Sequence, residues 1–485
     1  MPLRSAAQYL ESLRDGRTVY YKGERVADVT THPELGKGAK HCAIDYAIAD
    51  DPKHRELVRY TEDGRELNRF YKLPRTAEDL LRRREMIAAT TQAGRALIVL
   101  IREIGTDFLY ANHIVTHAMQ EKLKAPYHER LKAYHRHVAE NDLAMGVAQT
   151  DVKGDRSLGP SEQEHPDYYV HVVDRQQDGI VVRGAKAHTT NPIFANELIV
   201  LPPRAMAEAD RDYALSFAVP VNAKGLKFIA SPFSGGGDSP IDHPVSSRHK
   251  IADTLTIFDD VFVPWERVFL CGETPYAGAL ALGFVEYHRF TAISYKLPLL
   301  DLMIGCAMLA AEANGIGGAG HVREKLSRLI SYRETVRALT VAAAHECTLK
   351  AGLAVPSTTI TNVAKQHFAE NYHAMVQKVQ DIAGGLVVTG PSEEDLKNPE
   401  TKAYVEHYLG GKAGFGAVNR LKLINLIRDY FASGFGGYHE LLAIHAEGSL
   451  EAQKITILRG FDARDAMAFA ADCAGLDLAP TTRGA

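Results

Sequence analysis

The chain has 485 residues, 46% of them hydrophobic and 24% charged, with a formal net charge of -4. That length exceeds one simple core and suggests about three domains, while the near-balanced charge gives no basic excess to draw nucleic acid or an anionic membrane. The cysteines, Cys42, Cys271, Cys306, Cys347 and Cys473, are scattered without C-x-x-C or Cys/His metal spacing, so they read as reduced thiols of a cytoplasmic protein.

The first fifteen residues carry charges where a secretory signal needs an apolar run. They read as an amphipathic helix capped by Ser5. A hairpin over 18–27 turning at Lys22-Gly23 follows. Helical periodicity then runs over 43–49, 76–104, 107–120 and 126–143, making 1–144 a mostly helical domain. His113 and His117 stand i,i+4, but with no intervening Glu of an H-E-x-x-H pattern and no clustered third ligand, no metal site is expected.

Residues 145–275 alternate as strands: 168–173 and 179–183 about a turn, then 197–201, 213–219, 226–230 and 254–258. Short strands at this spacing indicate a barrel or sandwich. The stretch 234–238 has three successive glycines but no following Gly-Lys-Ser/Thr, and reads as a flexible surface loop. From 276 to 485 the helical period returns over 296–313, 321–352, 362–382, 404–431 and 449–474, enough for a bundle. The most apolar stretch, 297–311, contains Asp301 and is too short to span a bilayer. The overall class is α+β.

No G-x-S-x-G, Walker, kinase or Rossmann signature stands in a strand-to-helix setting, which counts against hydrolases and nucleotide-dependent transferases. Three features remain. The loop after Met145-Gly146-Val147-Ala148 collects Gln149, Thr150, Asp151, Lys153 and Asp155 around Gly154; it either grips a large polar cofactor or is a solvated interdomain turn. Lys186-Ala187-His188-Thr189-Thr190 ends a strand with hydroxyls and an imidazole. Gly384-Gly385 closes a helix, either as a plain C-cap or where backbone approaches a ligand.

Five segments together give a specific resemblance: Asp151 to Arg156, Asp178 to His188, Phe258 to Pro264, Tyr287-His288-Arg289, and Asp381 to Gly385. Over nearly the whole chain the sequence resembles the family that groups 4-hydroxyphenylacetate 3-hydroxylases with 4-hydroxybutyryl-CoA dehydratase. The resemblance implies an acyl-CoA dehydrogenase-like fold, a homotetramer, and FAD at the domain junction. By resemblance the flavin contacts are Ala148, Gln149, Thr150, Lys153 and Asp155, then His188, Thr189 and Thr190, with Gly384 and Gly385, and finally Gly448 and Ser449 in the segment 447–451. A flavin edge needs such donors while its rings lie in apolar surroundings.

Departures from both branches narrow the activity. Where the dehydratase holds a [4Fe–4S] cluster with three cysteines and a histidine, this chain has Val99, Glu103 and a late position at or next to Tyr295, and retains only His288; one imidazole cannot hold a cluster. Lys296 resembles a substrate-side lysine of the dehydratase, and Glu440 is aligned with an acidic residue there. Where the hydroxylase branch binds its phenol with Arg, Tyr and His, this chain has Ile104, Phe108 and Val147, which either line an apolar substrate pocket or belong to the core. The resemblance thus implies a flavin-dependent monooxygenase, fed reduced FAD by a separate reductase, acting on a small molecule other than 4-hydroxyphenylacetate, with His288, Arg289 and Lys296 as catalytic residues. The alternatives are a cluster-free lyase or isomerase acting on a CoA thioester, and a flavin-binding scaffold without activity.

Overall fold

The computed structural model describes residues 3–233 and 236–476; Ser234 and Gly235 of the expected glycine loop lie outside them. The N-terminal part is built on helices Ala77–Ala93, Glu103–Leu123 and Tyr127–Glu140. Thr76 starts the first with a reciprocal cap: its hydroxyl receives the Asp79 N–H, and the Asp79 carboxylate receives the Thr76 N–H.

Two sheets form the middle layer. One has six strands in the order Glu24–Val26, Thr18–Tyr21, Leu226–Ala230, Asp253–Pro264, Gly179–Thr190, His171–Arg175; the other has four, Val268–Cys271, Leu215–Pro220, Glu197–Val200, Met145–Ala148. Phe217 of the smaller sheet meets Phe258 of the larger edge-on, ring centroids 5.9 Å apart, so the sheets share a core, as expected of a sandwich. The early hairpin exists where expected, but it joins this layer: Thr18–Tyr21 pairs in parallel with Leu226–Ala230.

The C-terminal bundle is organised around Thr274–Ala313, a helix of 40 residues that continues through Pro298. Every residue from Glu286 to Leu300 is buried. Helices Gly320–His345 and Thr358–Ala383 pack on it, as does Glu103–Leu123 from the N-terminal layer. Length and hydropathy alone would let this helix cross a membrane, but its burial marks it as a core helix of the bundle.

Several expected helices are shorter than their periodicity suggests. The helix expected over 76–104 ends at Ala93, and Arg95, Ala96 and Leu100 take positive φ of 58°, 68° and 56°. The apolar run 97–101 is instead a buried connection whose carbonyls find distant donors: His41 Nε2 to Ile98 O at 2.9 Å, Asn191 Nδ2 to Val99 O at 2.9 Å, and Met145 N to Ile101 O at 2.6 Å. Four glycines, Gly410, Gly411, Gly414 and Gly416, separate Pro399–Tyr408 from Ala417–Phe431, and 449–474 divides into Leu450–Gly460 and Arg464–Ala474. Two hairpins stand where sequence periodicity showed none or helix, Arg59–Glu62 with Arg65–Asn68 and Thr348–Lys350 with Leu353–Val355.

Candidate active site between the helices and the sheets

The long helix carries its polar side chains into a buried space, and two other elements supply their partners. Asp107, fully buried on Glu103–Leu123, accepts from Arg83 at 2.6 Å and from the Thr291 hydroxyl at 2.9 Å through one oxygen. Its other oxygen lies 3.0 Å from Nδ1 of His288. His288 and Thr291 are i,i+3 on the long helix and so share the face turned toward Asp107. The imidazole also stacks on Phe284, centroids 5.0 Å apart. Asp107 thus fixes the ring and its Nδ1–H tautomer, leaving Nε2 as the base position.

One further turn along, Tyr295 and Lys296 meet a carboxylate from a loop far away in sequence. Glu447 has φ +62° and is followed by Gly448 at φ +101°, a left-handed pair that turns the chain between Gly434–His445 and Leu450–Gly460 and drives the Glu447 carboxylate inward. That carboxylate receives Lys296 Nζ at 3.2 Å and Lys365 Nζ at 3.3 Å, and the Tyr295 hydroxyl donates to it in a short hydrogen bond. Burial alone would raise the Glu447 carboxyl, but Lys296, Lys365 and His288 hold it down at about 2. Burial pushes Lys296 down to about 7; Glu447 opposes this and Lys365 adds to it. One carboxylate shared between two ammonium groups satisfies neither fully, which makes Lys296 a titratable group near neutrality. His439 lies on the same side, its Nδ1 buried without a partner among the described residues, and burial together with Lys296 pushes it down to about 4.

Of the expected catalytic residues, His288 and Lys296 both bear on the Glu447 carboxylate, Lys296 as an ion pair and His288 through its charge. Arg289 instead holds the backbone in place, donating to Glu447 O at 3.0 Å, Asn362 Oδ1 at 2.6 Å and Thr456 Oγ1 at 3.3 Å. All these bonds go to protein, and they pin the Glu447 loop. Glu440, aligned with an acidic residue of the dehydratase, hydrogen-bonds His373 at the surface, and the carboxylate that meets Lys296 is that of Glu447, which the sequence marks only as part of a flavin-contact segment. Ile104, Phe108 and Val147 are 7%, 0% and 5% exposed. They belong to the packed junction of helix and sheet, where a Cβ on Gly105 would stand 2.4 Å from that of Met145.

The cofactor loops gather in part. Asp151 and Lys186, both buried, form an ion pair at 2.7 Å. Lys186 Nζ also caps Gln149 O at 2.9 Å and Leu201 O at 3.1 Å, and Ala187 N bonds Thr150 O at 2.8 Å. The loop 148–151 is therefore tied to the strand end 186–190. The half-buried Gln149 and Thr150 side chains keep their hydrogen-bonding capacity, having no partner among the described residues. His188 has φ +58° at a register shift opposite Thr254 and Thr256 and is exposed. Thr189 is buried and its hydroxyl accepts from Thr256 at 3.0 Å, while Thr190 donates to Asp253, which also takes the hydroxyl of Tyr438 from the bundle. An amide, hydroxyls and an imidazole on one braced edge are donors and acceptors of the kind a flavin edge needs.

Lys153 is half-buried, and burial lowers its ammonium from the usual value. Asp155 is exposed, turned on Ser157 at 2.7 Å. Gly384 and Gly385 close Thr358–Ala383 with open space around both. Ser449 caps the next helix through Ala452 N, and Gly448 faces Arg289.

An iron–sulfur cluster does not fit this donor set. Val99 offers only a carbonyl already bonded, Glu103 is a buried carboxyl raised by its surroundings, and Tyr295 is committed to Glu447.

This arrangement of helical layer, β layer and helical bundle is that of acyl-CoA dehydrogenase-like flavoproteins. The profile described as "4-hydroxyphenylacetate 3-hydroxylase N terminal" matches residues 5–270 and its C-terminal counterpart matches 277–475, so the chain belongs to the 4-hydroxyphenylacetate 3-hydroxylase family. The chain is 33% identical over 476 residues to 4-hydroxybutyryl-CoA dehydratase/vinylacetyl-CoA-Delta-isomerase of Clostridium aminobutyricum, covering 94% of this chain and 96% of that protein. It is 35% identical over 442 residues to the oxygenase component of 4-hydroxyphenylacetate 3-monooxygenase of Thermus thermophilus, covering 90% of each. Among solved structures, an oxygen-tolerant archaeal 4-hydroxybutyryl-CoA dehydratase from N. maritimus superposes with TM-score 0.93 at 31% identity, over 100% of this chain and 97% of that one. The oxygenase component of 4-hydroxyphenylacetate 3-monooxygenase complexed with FAD and 4-hydroxyphenylacetate superposes with TM-score 0.91 at 31% identity, over 97% and 98%.

Proposed function

We propose that this protein is the oxygenase half of a two-component flavin monooxygenase, a cytoplasmic homotetramer that takes reduced FAD from a separate reductase and hydroxylates a small aromatic or related organic substrate. The observation that carries the reading is the buried His288–Asp107 pair, with Asp107 on the same helix as Ile104 and Phe108. Relatives named as oxygenase components, and one solved with FAD, support it. Reduced FAD, when bound, supplies the oxygen-activating chemistry. Gln149, Thr150, His188 and Thr189 hold its polar edge, and Gly384 with Gly385 leaves room for backbone approach. His288 accepts the substrate's hydroxyl proton at Nε2, and Asp107 stabilises the imidazolium that results. Ile104 and Phe108 exclude water from the reacting atoms. Ile104, Phe108 and Val147 offer no polar group to a phenol, and the nearby Arg83 guanidinium is already bonded to Asp107, Glu103 O and Tyr110, which favours a substrate other than 4-hydroxyphenylacetate. The test is oxygen-dependent product formation with a panel of phenols, which must require reduced FAD and fall in His288→Gln.

A second reading rests on a different observation, the shared Lys296–Glu447–Lys365 carboxylate. A lysine lowered to about 7 beside a fixed carboxylate can take a proton from Cα of a β,γ-unsaturated acyl thioester and return one at Cγ as the double bond moves into conjugation, without oxygen. Anaerobic conversion of vinylacetyl-CoA by the purified protein, abolished in Lys296→Met, would replace the first reading.

A further inference from the structure

A cavity lies apart from these residues. It encloses about 570 Å³ and is bounded by helices Glu103–Leu123 and Tyr127–Glu140 and by the hairpins at 59–68 and 348–355, a volume suited to a small molecule. His113, His117, His128 and His135 line it. Their hydrogen bonds fix the neutral tautomers of three. His135 Nε2–H donates to Tyr71 O at 2.8 Å, so its Nδ1 accepts His113 Nε2–H at 2.9 Å. The Thr116 hydroxyl donates to Asn112 O at 2.6 Å and so receives Nδ1–H of His128 at 3.0 Å. This leaves lone pairs on His113 Nδ1 and His128 Nε2, in rings 5.6 Å apart, with no partner among the described residues.

Charge at the mouth decides what such a pocket accepts. Arg75, Lys132 and Arg136 are exposed there; Lys132 pairs with Glu129 at 2.6 Å, and Arg65 pairs with Glu140. Glu62 receives the Tyr60 hydroxyl at 3.1 Å, and Asp63 sits at the hairpin tip. Burial, then His135, His128, Lys132 and Arg75, push His113 down to about 2. Burial penalises any charge there, but the part contributed by Lys132 and Arg75 opposes a divalent cation and favours an anion. Leu67, Tyr71, Leu73 and Leu353 supply an apolar wall.

We propose that this pocket is a second ligand site, taking a small organic anion whose apolar body lies on Tyr71 and Leu353 and whose acidic group meets Arg75, Arg136 and the His113–His128 pair. Seating the anion turns one imidazole from acceptor to donor by taking up a proton from solvent. The site stands independently of the oxygenase reading.

The test is calorimetric titration of the full chain, saturated with FAD, with phenyl phosphate in two buffers of different ionisation enthalpy. The expected results are saturable binding with net proton uptake, weakening by about tenfold in Arg75→Ala/Arg136→Ala, and loss of the uptake in His128→Gln. Both arginines are exposed, so that variant keeps its fold. The proposal is overturned by absence of saturable binding, by binding indifferent to the arginine pair, or by phenol or inorganic phosphate alone binding as well as phenyl phosphate.

Discussion

Replacing Glu447 by Gln removes the only carboxylate bonded to Lys296 and Lys365 among the described residues while keeping the side chain's shape. The Glu447 carboxyl lies at about 2 against an ordinary 4.5. At 1.36 kcal/mol per pKa unit, that depression is worth about 3 kcal/mol of folding stability at neutral pH, in line with the roughly 3–5 kcal/mol expected when one member of a buried ion pair is removed. Because the folded pKa is depressed, this stability is fully present above about 4.5 and is lost as pH falls toward about 2. Lys296 contributes with its own sign: a lysine lowered to about 7 penalises the folded state while charged, so stability rises with pH from about 7 toward 10.5. Urea denaturation of both proteins across pH 3 to 8 provides the measurement. Glu447→Gln is expected to lose about 3 kcal/mol at pH 7 and to lack most of the acid-side decline. A loss under about 1 kcal/mol, or an unchanged acid limb, would show that the two lysines do not depend on this carboxylate.

Asp107→Asn leaves the Arg83 guanidinium buried without its counter-charge and frees the His288 ring; stability should fall by about 3 kcal/mol or more, read by the same denaturation. Lys186→Met unties the loop 148–151 from its strand, and FAD affinity by flavin fluorescence should drop by about tenfold or more, where an unchanged Kd would remove this loop from the cofactor site. Gly105→Ala pushes a methyl into Met145, and a cost of about 1–3 kcal/mol is expected from overpacking, checked by thermal unfolding.

The layer order was legible because periodicity changes twice along the chain, from 3.6 to 2 near Met145 and back near Tyr276. Element ends were less so. The run 97–101 is apolar on every side and carries no period, so only its tertiary hydrogen bonds reveal that it is not helix. The site divides in the same way. His288 and Lys296 stand out as polar residues in a long, largely apolar helix, and Asp107 carries the same signal within a buried stretch of Glu103–Leu123. Lys365 and Glu447 gave little sign, since their pairing spans 82 residues of chain and depends on a left-handed turn at Glu447-Gly448 that composition does not specify. Arg289 shows the limit of reading by neighbours: those beside it in sequence are catalytic candidates, while its partners are a loop carbonyl and two bundle side chains.

Binding of reduced FAD, and control over its reaction with oxygen, can be read in one experiment: stopped-flow mixing of the anaerobic complex with oxygenated buffer, followed by flavin absorbance. Tight binding and reoxidation in resolved phases, slower than that of free reduced FAD, are expected; failure to bind, or a single phase at the rate of the free flavin, would rule out a flavin oxygenase.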